Sequence, residues 1–329
     1  MRCICALVLL GIAWSAGLVS AEIPPAWGGK ARHIIIAVID GPRWSESWGD
    51  PLRANIPHQA KELLPQGTLY TNFRNSGWTY TTCGHTALTT GFYEKLDNTG
   101  KELPGHPSVF QYFRAATRAP ATQTWVITSK DKLFTLANTT DPAWHGILQP
   151  SVNCGVPARG PLGGMRDDPA TMVVVQEVLR VHHPALMLIN FREPDSSGHA
   201  KNWEAYLQGI RDTDGYVAAL WTQIQSDPEL KDRTNLFITN DHGRHPDGHS
   251  DGYVSHGDDC AGCRHIALLA LGPDIAPGRV LTVERNQTDL AVTVAHLAGV
   301  TLEGATGVLM TELLEPAGQV MVPASALSP

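Results

Sequence analysis

The chain has 329 residues, with 25 Lys and Arg set against 32 Asp and Glu for a formal net charge of −7. That length can bury a large single core, and an acidic balance without any run of Lys or Arg argues against a nucleic-acid or anionic-membrane partner. Beyond residue 21 no apolar run approaches the roughly 20 residues that a membrane-spanning helix needs.

Residues 1–21 read as an export leader: Arg2 is a minimal basic start, Ile4 to Ile12 is mostly apolar, and Val19-Ser20-Ala21 fits a small-residue cleavage site. No cysteine follows the cut, which argues against lipid attachment. Residues 22–329 are expected to form one exported domain that keeps Cys83, Cys154, Cys260 and Cys263. Export makes disulfides plausible. Cys260-Ala-Gly-Cys263 fits either a tight local disulfide or half of a thiolate zinc site; no second C-x-x-C completes the latter, so the disulfide is preferred.

The continuous apolar run His33 to Asp40 reads as a parallel strand covered on both faces, ending in an acid and a turn, Asp40-Gly41-Pro42. Residues 54–64 read as a short helix and Leu69 to Phe73 as a second strand. In Trp78-Thr-Tyr-Thr-Thr-Cys-Gly-His-Thr-Ala-Leu-Thr-Thr-Gly91, small and hydroxyl residues before Ala87 predict a loop entering a helix. Free N–H groups and the dipole at such an end suit an anionic phosphoryl group, though a Thr there can equally be a plain cap. Residues 107–116 look helical.

Thr124 to Thr128 is a third strand, running out into Ser129-Lys130-Asp131-Lys132, whose cations could clasp an anionic substrate or simply be solvated. Residues 135–167, rich in Gly, Pro and Asn, read as a long surface excursion. Asp168 to His182 has helical spacing and Ala185 to Asn190 is a fourth strand. Asp195 and His199 follow it, with Pro194 and Gly198 predicting a turn that points both at one ion.

Residues 201–225 make an amphipathic helix. The run Leu236 to Thr239 is a buried strand that stops at Asn240-Asp241-His242-Gly243, where carboxylate and imidazole together suit Zn²⁺ or Mn²⁺. A loop with His245, His249 and His256 follows, then a strand from Arg264 to Leu271 and a helix from Asp289 to Leu297. Strands alternating with helices predict an α/β fold with a doubly wound, mostly parallel sheet between helices. The ends of four strands then bring Asp40, Lys130 and Lys132, Asp195 and His199, and Asp241 and His242 to one crevice.

With Val38-Ile-Asp-Gly41, Thr81-Thr-Cys-Gly-His-Thr-Ala-Leu-Thr-Thr-Gly91, Glu193-Pro-Asp-Ser-Ser-Gly-His199, Thr239-Asn-Asp-His-Gly243 and Ser255-His-Gly257 in this order, the chain resembles the alkaline phosphatase superfamily of two-metal hydrolases. The resemblance implies one mixed, mostly parallel sheet and two divalent ions, zinc by expectation, with manganese open. It implies that Asp40, Asp241 and His242 hold one ion, with Thr81 reaching toward it as the nucleophile. Asp195, His199 and a later His, with His256 preferred over His249, would hold the other. It further implies substrate contacts from Lys130, Lys132 and Asn98.

A formylglycine sulfatase would place Cys or Ser in C/S-x-P-S-R where Thr81 stands, and Cys83 comes two residues late for that role. The expected activity is hydrolysis of small phosphoric esters, monoesters first, through a phosphothreonine. The alternatives are phosphodiester or phosphonoacetate-type C–P hydrolysis, and a metal- or anion-binding protein without turnover. The oligomeric state is left open.

Overall fold

The computed structural model describes residues 27–314, so the leader expected over residues 1–21 and the tail beyond Leu314 lie outside the described residues. A nine-stranded sheet runs through the middle. Its parallel half comprises β1 (His33–Asp40), β3 (Thr124–Thr128), β4 (Ser151–Cys154), β5 (Leu186–Pro194) and β6 (Thr234–Thr239), in the order β4-β3-β5-β1-β6. Next to β6 lies β7 (His265–Leu271), antiparallel to it, then β2 (Gly67–Arg74), which carries the short β8 (Arg279–Leu281) and β9 (Arg285–Asn286).

β1 lies between β5 and β6, and all eight of its residues are buried. Because side chains alternate across a strand, Ile34, Ile36 and Val38 face one layer and Ile35, Ala37 and Ile39 the other. The first layer is packed by α1 (Thr81–Thr90), α2 (Val109–Thr117) and α7 (Gln287–Leu297), through Leu88, Phe110, Phe113, Leu290 and Val294. The second is packed by α3 (Asp168–His182) and α5 (Trp203–Ser226), through Val175, Leu179, Ile210, Val217 and Ile224. The helices α4 (Asp195–His199), α6 (Ala261–Arg264) and α8 (Thr311–Leu314) are single turns. This is the mostly parallel sheet between helices that the patterning predicts.

Four local expectations need correction. Residues 54–64 do not form an α-helix: a π-helical turn, Gln59–Leu63, passes into the 3₁₀ turn Leu64–Gln66, since Pro65 has no N–H with which to continue the ladder. The excursion over 135–167 hides β4, whose exposed Val152 gives no apolar run; its ladder to β3 makes the strand. β5 continues through Pro194 rather than ending at Asn190, and the segment after it is the helical turn α4. α1 starts at Thr81 itself, several residues before Ala87, with Tyr80 as its extended N-cap.

Candidate active site

The strand register assembles the site. Asp40, the last residue of β1, pairs with Pro194, so Asp195 follows at the neighbouring strand end. Val38 is level with Thr239 on its other side, which brings Asp241 up two residues later. Thr128 pairs with Asn190, which delivers Lys130. Gly41 takes φ +62°, and a Cβ there would come within 3.0 Å of both Asp195 Oδ1 and Arg244 Nη1. That glycine lets the chain turn away under a crowded cluster, and its N–H donates to Asp241 Oδ1 at 3.2 Å.

The first cluster is Asp40, Asp241 and His242, all fully buried. His242 Nε2 lies 3.3 Å from Asp241 Oδ2 and 3.6 Å from Asp40 Oδ1. Its Nδ1 pairs with the Gly243 carbonyl at 2.9 Å, so the ring proton sits there and the Nε2 lone pair faces the carboxylates. Neither His242 Nε2 nor Asp241 Oδ2 makes a hydrogen bond. Two buried, unsatisfied electron-pair donors facing each other fit a divalent cation, which is what this donor set binds. Burial and the Asp40 carboxylate push the Asp241 carboxyl well above its ordinary range, while burial and His256 hold His242 well below its own.

The second cluster is Asp195, His199 and His256. His199 Nε2 is 3.1 Å from His256 Nε2 and 3.3 Å from Asp195 Oδ1, and His256 Nε2 is 3.4 Å from the same oxygen. His256 is fixed by Nδ1 on the Thr79 carbonyl at 2.7 Å, and its ring stacks on His242. Of the two late histidines it is therefore His256 that joins the cluster; His249 turns to Asp258 instead, at 2.7 Å.

Lys130 lies between the clusters, 2 % exposed, with Nζ 2.8 Å from Asp40 Oδ1, 2.5 Å from Asp195 Oδ2 and 3.2 Å from Thr81 Oγ1. Burial opposes its charge, yet Asp195 and Asp40 hold the ammonium above the ordinary lysine range. Burial alone would likewise push the Asp195 carboxyl up, but Lys130 and hydrogen bonds from His199 and His256 bring it well below the usual carboxylate range. The reading of Lys130 as a solvated loop cation is thus corrected: it is buried between the clusters, against Asp40, Asp195 and Thr81. Lys132, half-buried, donates to Asn98 Oδ1 at 2.9 Å, and the same oxygen accepts from Thr82 N at 3.1 Å. Asn98 and Lys132 accordingly flank the start of α1, next to Thr81.

Arg244 was not legible as a site residue. Its guanidinium is fully buried and bonds Asp195 Oδ1, the Tyr253 and Val254 carbonyls and, at 3.4 Å, His199 Nδ1. A lone Arg after Asp-His-Gly in a loop full of polar residues reads as solvated; only the backbone path that folds it under α4 reveals the contact. All four described cysteines are free thiols, so the expected Cys260–Cys263 disulfide is corrected as well: Cys260 Sγ caps α6 and accepts from Cys263 N at 3.4 Å. Cys83 is buried and bonded to Leu96, and burial raises its thiol above the ordinary range, which keeps it protonated and inert.

Comparison with known proteins agrees with this geometry. The family model for type I phosphodiesterase / nucleotide pyrophosphatase matches residues 36–261, from β1 through the late histidine loop. The sulfatase ppz1 of Metarhizium majus (strain ARSEF 297) is 32% identical over 98 residues, which is 29% of this chain and only 22% of that protein's length. Among solved structures, the PsFucS1 sulfatase from Pseudoalteromonas sp. aligns with a TM-score of 0.62 at 14% identity, covering 89% of this chain and 74% of that one. Murine ectonucleotide pyrophosphatase / phosphodiesterase 5 aligns with a TM-score of 0.58 at 15% identity, covering 86% of this chain and 100% of that one. At such identities the two structures share the fold with this chain.

Proposed function

The chain belongs to the type I phosphodiesterase / nucleotide pyrophosphatase family of the alkaline phosphatase superfamily, and we propose that this ester-bond hydrolase cleaves small phosphoric esters through Thr81. The observation that carries the reading is the Thr81 hydroxyl, buried at the first position of α1, 3.2 Å from the Lys130 ammonium and beside both Asp/His clusters. Attack by Thr81 Oγ1 on phosphorus forms the P–Oγ bond as the P–O bond to the alcohol breaks, and the alcohol leaves with a proton. Water then cleaves the phosphothreonine, releasing phosphate and restoring the hydroxyl.

Asp40, Asp241 and His242 would hold one divalent cation, and Asp195, His199 and His256 another. When bound, such ions supply Lewis-acid charge to the attacking and leaving oxygens. Lys130 steadies negative charge growing on Thr81 Oγ1, because its ammonium is fixed there before reaction begins. Lys132 and Asn98 offer a cation and an amide where the non-bridging phosphoryl oxygens would lie. A monoester dianion has one more charge than a diester or sulfate ester, and this cationic surround favours it. Thr81, rather than a Cys or Ser, at the first position of α1 argues against a formylglycine sulfatase.

A second reading, phosphodiester hydrolysis, draws on the family match and on a cavity of 530 Å³ next to Thr79, lined by Trp78, Tyr93 and Gly257, with room for a second ester group. One experiment separates them. Chelator-sensitive rates are compared on an aryl phosphate, a bis-aryl phosphodiester and an aryl sulfate, for wild type and Thr81→Ala. The monoester should be fastest, and Thr81→Ala should lose on the order of a thousandfold or more on every substrate. A faster diester moves the assignment to the second reading. Near-wild-type rates for Thr81→Ala would remove Thr81 as nucleophile altogether.

A further inference from the structure

A third group of donors stands outside the catalytic clusters, in the loop that leads from Gly243 to Cys263. His245, His249, Asp258 and Cys260 each offer one ligand atom, and these atoms all lie within 4.8 Å of one another. His249 Nε2 is 2.7 Å from Asp258 Oδ2 and His245 Nε2 is 3.3 Å from that oxygen. A zinc ion with bonds of about 2.0 to 2.3 Å needs donors roughly 3.3 to 3.8 Å apart, so little movement separates this arrangement from a closed site.

We propose that His245, His249, Asp258 and Cys260 bind one zinc ion, which pins the loop carrying Arg244 and His256.

Three observations point to an ion rather than to a surface hydrogen-bond cluster. His245 is 5 % exposed, and its Nε2, aimed at Asp258, makes no hydrogen bond. A buried imidazole nitrogen left without a partner is costly unless something else occupies its lone pair. The other ring nitrogen, Nδ1, meets Asp251 Oδ1 at 3.0 Å, and Ser255 Oγ holds the same carboxylate oxygen at 2.6 Å. This is the carboxylate–histidine relay that fixes the tautomer of a metal-ligating His and leaves Nε2 free to coordinate. Cys260, finally, accepts the Cys263 N–H at its sulfur, an arrangement that stabilises a thiolate. As zinc binds, the thiol proton leaves to solvent. Asp258 and the Cys260 thiolate together balance the +2 charge.

The position gives the site a purpose. His245 follows Arg244 directly, and Asp258 follows His256 by two residues. The loop's ends meet through Gly243 N and the Cys263 carbonyl at 2.8 Å, and its middle through His245 N and the Ser255 carbonyl at 3.2 Å. An ion bridging the 245–249 arm to the 258–260 arm would lock the two segments that present Arg244 to Asp195 and His256 to the second cluster.

Cobalt(II) substitution of the mature protein tests this, because Cys260 is the only thiol in any of the three clusters. A thiolate-to-cobalt charge-transfer band is expected in wild type and in Asp241→Asn, which disables the first catalytic cluster. The band is expected to vanish in Cys260→Ser and in the exposed-site variant His249→Ala, each of which should carry one zinc fewer per chain. Absence of the band in wild type overturns the proposal. So does unchanged zinc content in both variants, or a Cys260–Cys263 disulfide in the isolated protein. The Asp241→Asn sample keeps this outcome separate from any failure of the catalytic assignment.

Discussion

The Arg244 guanidinium bonds the Asp195 carboxylate in the fully buried floor of the site, and Lys130 holds the other oxygen of the same carboxylate at 2.5 Å. Asp195 is therefore neutralised twice by the chain itself, whereas Asp241 Oδ2 and His242 Nε2 have no such partner. The two proposed metal clusters should bind metal unequally, since an ion entering the second must compete with both Lys130 and Arg244, whereas the first meets only Lys130, through Asp40. Mild chelation is expected to strip the Asp195 cluster first. Asp241→Asn should lose the ion that survives mild chelation, while Asp195→Asn should keep it. Metal analysis after graded dialysis decides; equal retention in the two variants would mean that Arg244 and Lys130 withdraw when metal enters.

Lys130 gives a second prediction, this time on stability. In metal-free protein it is the counter-charge that Asp40 and Asp195 share, and removing one partner of a buried pair costs roughly 3–5 kcal/mol. Once divalent ions sit beside the same carboxylates, that loss is largely made good. Lys130→Met should therefore unfold at clearly lower denaturant than wild type in chelator, with the gap shrinking by more than half in zinc. A gap that does not depend on zinc would place the stabilisation elsewhere.

The architecture and the placement of most of the candidate site were readable because both rest on strands with continuous apolar runs. β1 and β6 end where their apolar residues end, and the acids just beyond them had to fall at one sheet edge. Patterning could not reveal β4, which exists through its ladder to β3 and has only one buried residue. Nor could it show that Lys130 points inward while Lys132 stays at the rim, since two lysines two apart carry the same sequence signal. Arg244 and the donors around Cys260 were hidden for a related reason. A loop of His, Asp and Gly has no periodicity, and only its folded path shows which side chains meet.

On the proposed reading Lys132 is the cation that meets substrate, and its environment gives that role a pH signature. Burial and the adjacent Lys130 charge lower its pKa below the ordinary value of 10.5, so it sheds its proton earlier than a free lysine. The preference for monoester over diester should decline across the alkaline range beneath that value. Lys132→Arg should hold the preference to higher pH, because guanidinium stays charged. Lys132→Ala should narrow it at all pH values by about tenfold to a hundredfold, the worth of one charge-assisted contact of about 1–3 kcal/mol. Rate ratios measured from neutral to alkaline pH test both; a flat ratio would mean that Lys132 does not contact the phosphoryl group.

Asp168 ties together the strand ends that deliver Lys130 and Asp195. Its Oδ1 accepts from Ser129 Oγ at 2.5 Å and Arg192 N at 2.8 Å, and its Oδ2 from Glu193 N at 3.0 Å. Burial nevertheless outweighs these donors and raises the carboxyl from 3.8 to about 6. The folded state thus binds this proton more tightly than the unfolded chain does. The resulting stability is fully present below the unfolded pKa and is lost as pH rises through the folded value. Between pH of about 4 and about 6 the loss should total roughly 3 kcal/mol, because each tenfold difference in proton affinity between the folded and unfolded chain is worth about 1.4 kcal/mol. Asp168→Asn cannot titrate, and its carbonyl can still accept from Ser129 and Arg192, so it should fold with this component of the pH slope removed. It should be less stable than wild type at pH of about 4 by the missing Glu193 contact, and should pass it above pH of about 6, where wild type has lost its proton linkage. Denaturant unfolding of the metal-free protein across that window is the measurement. Parallel slopes for the two proteins would assign the titration to another carboxylate.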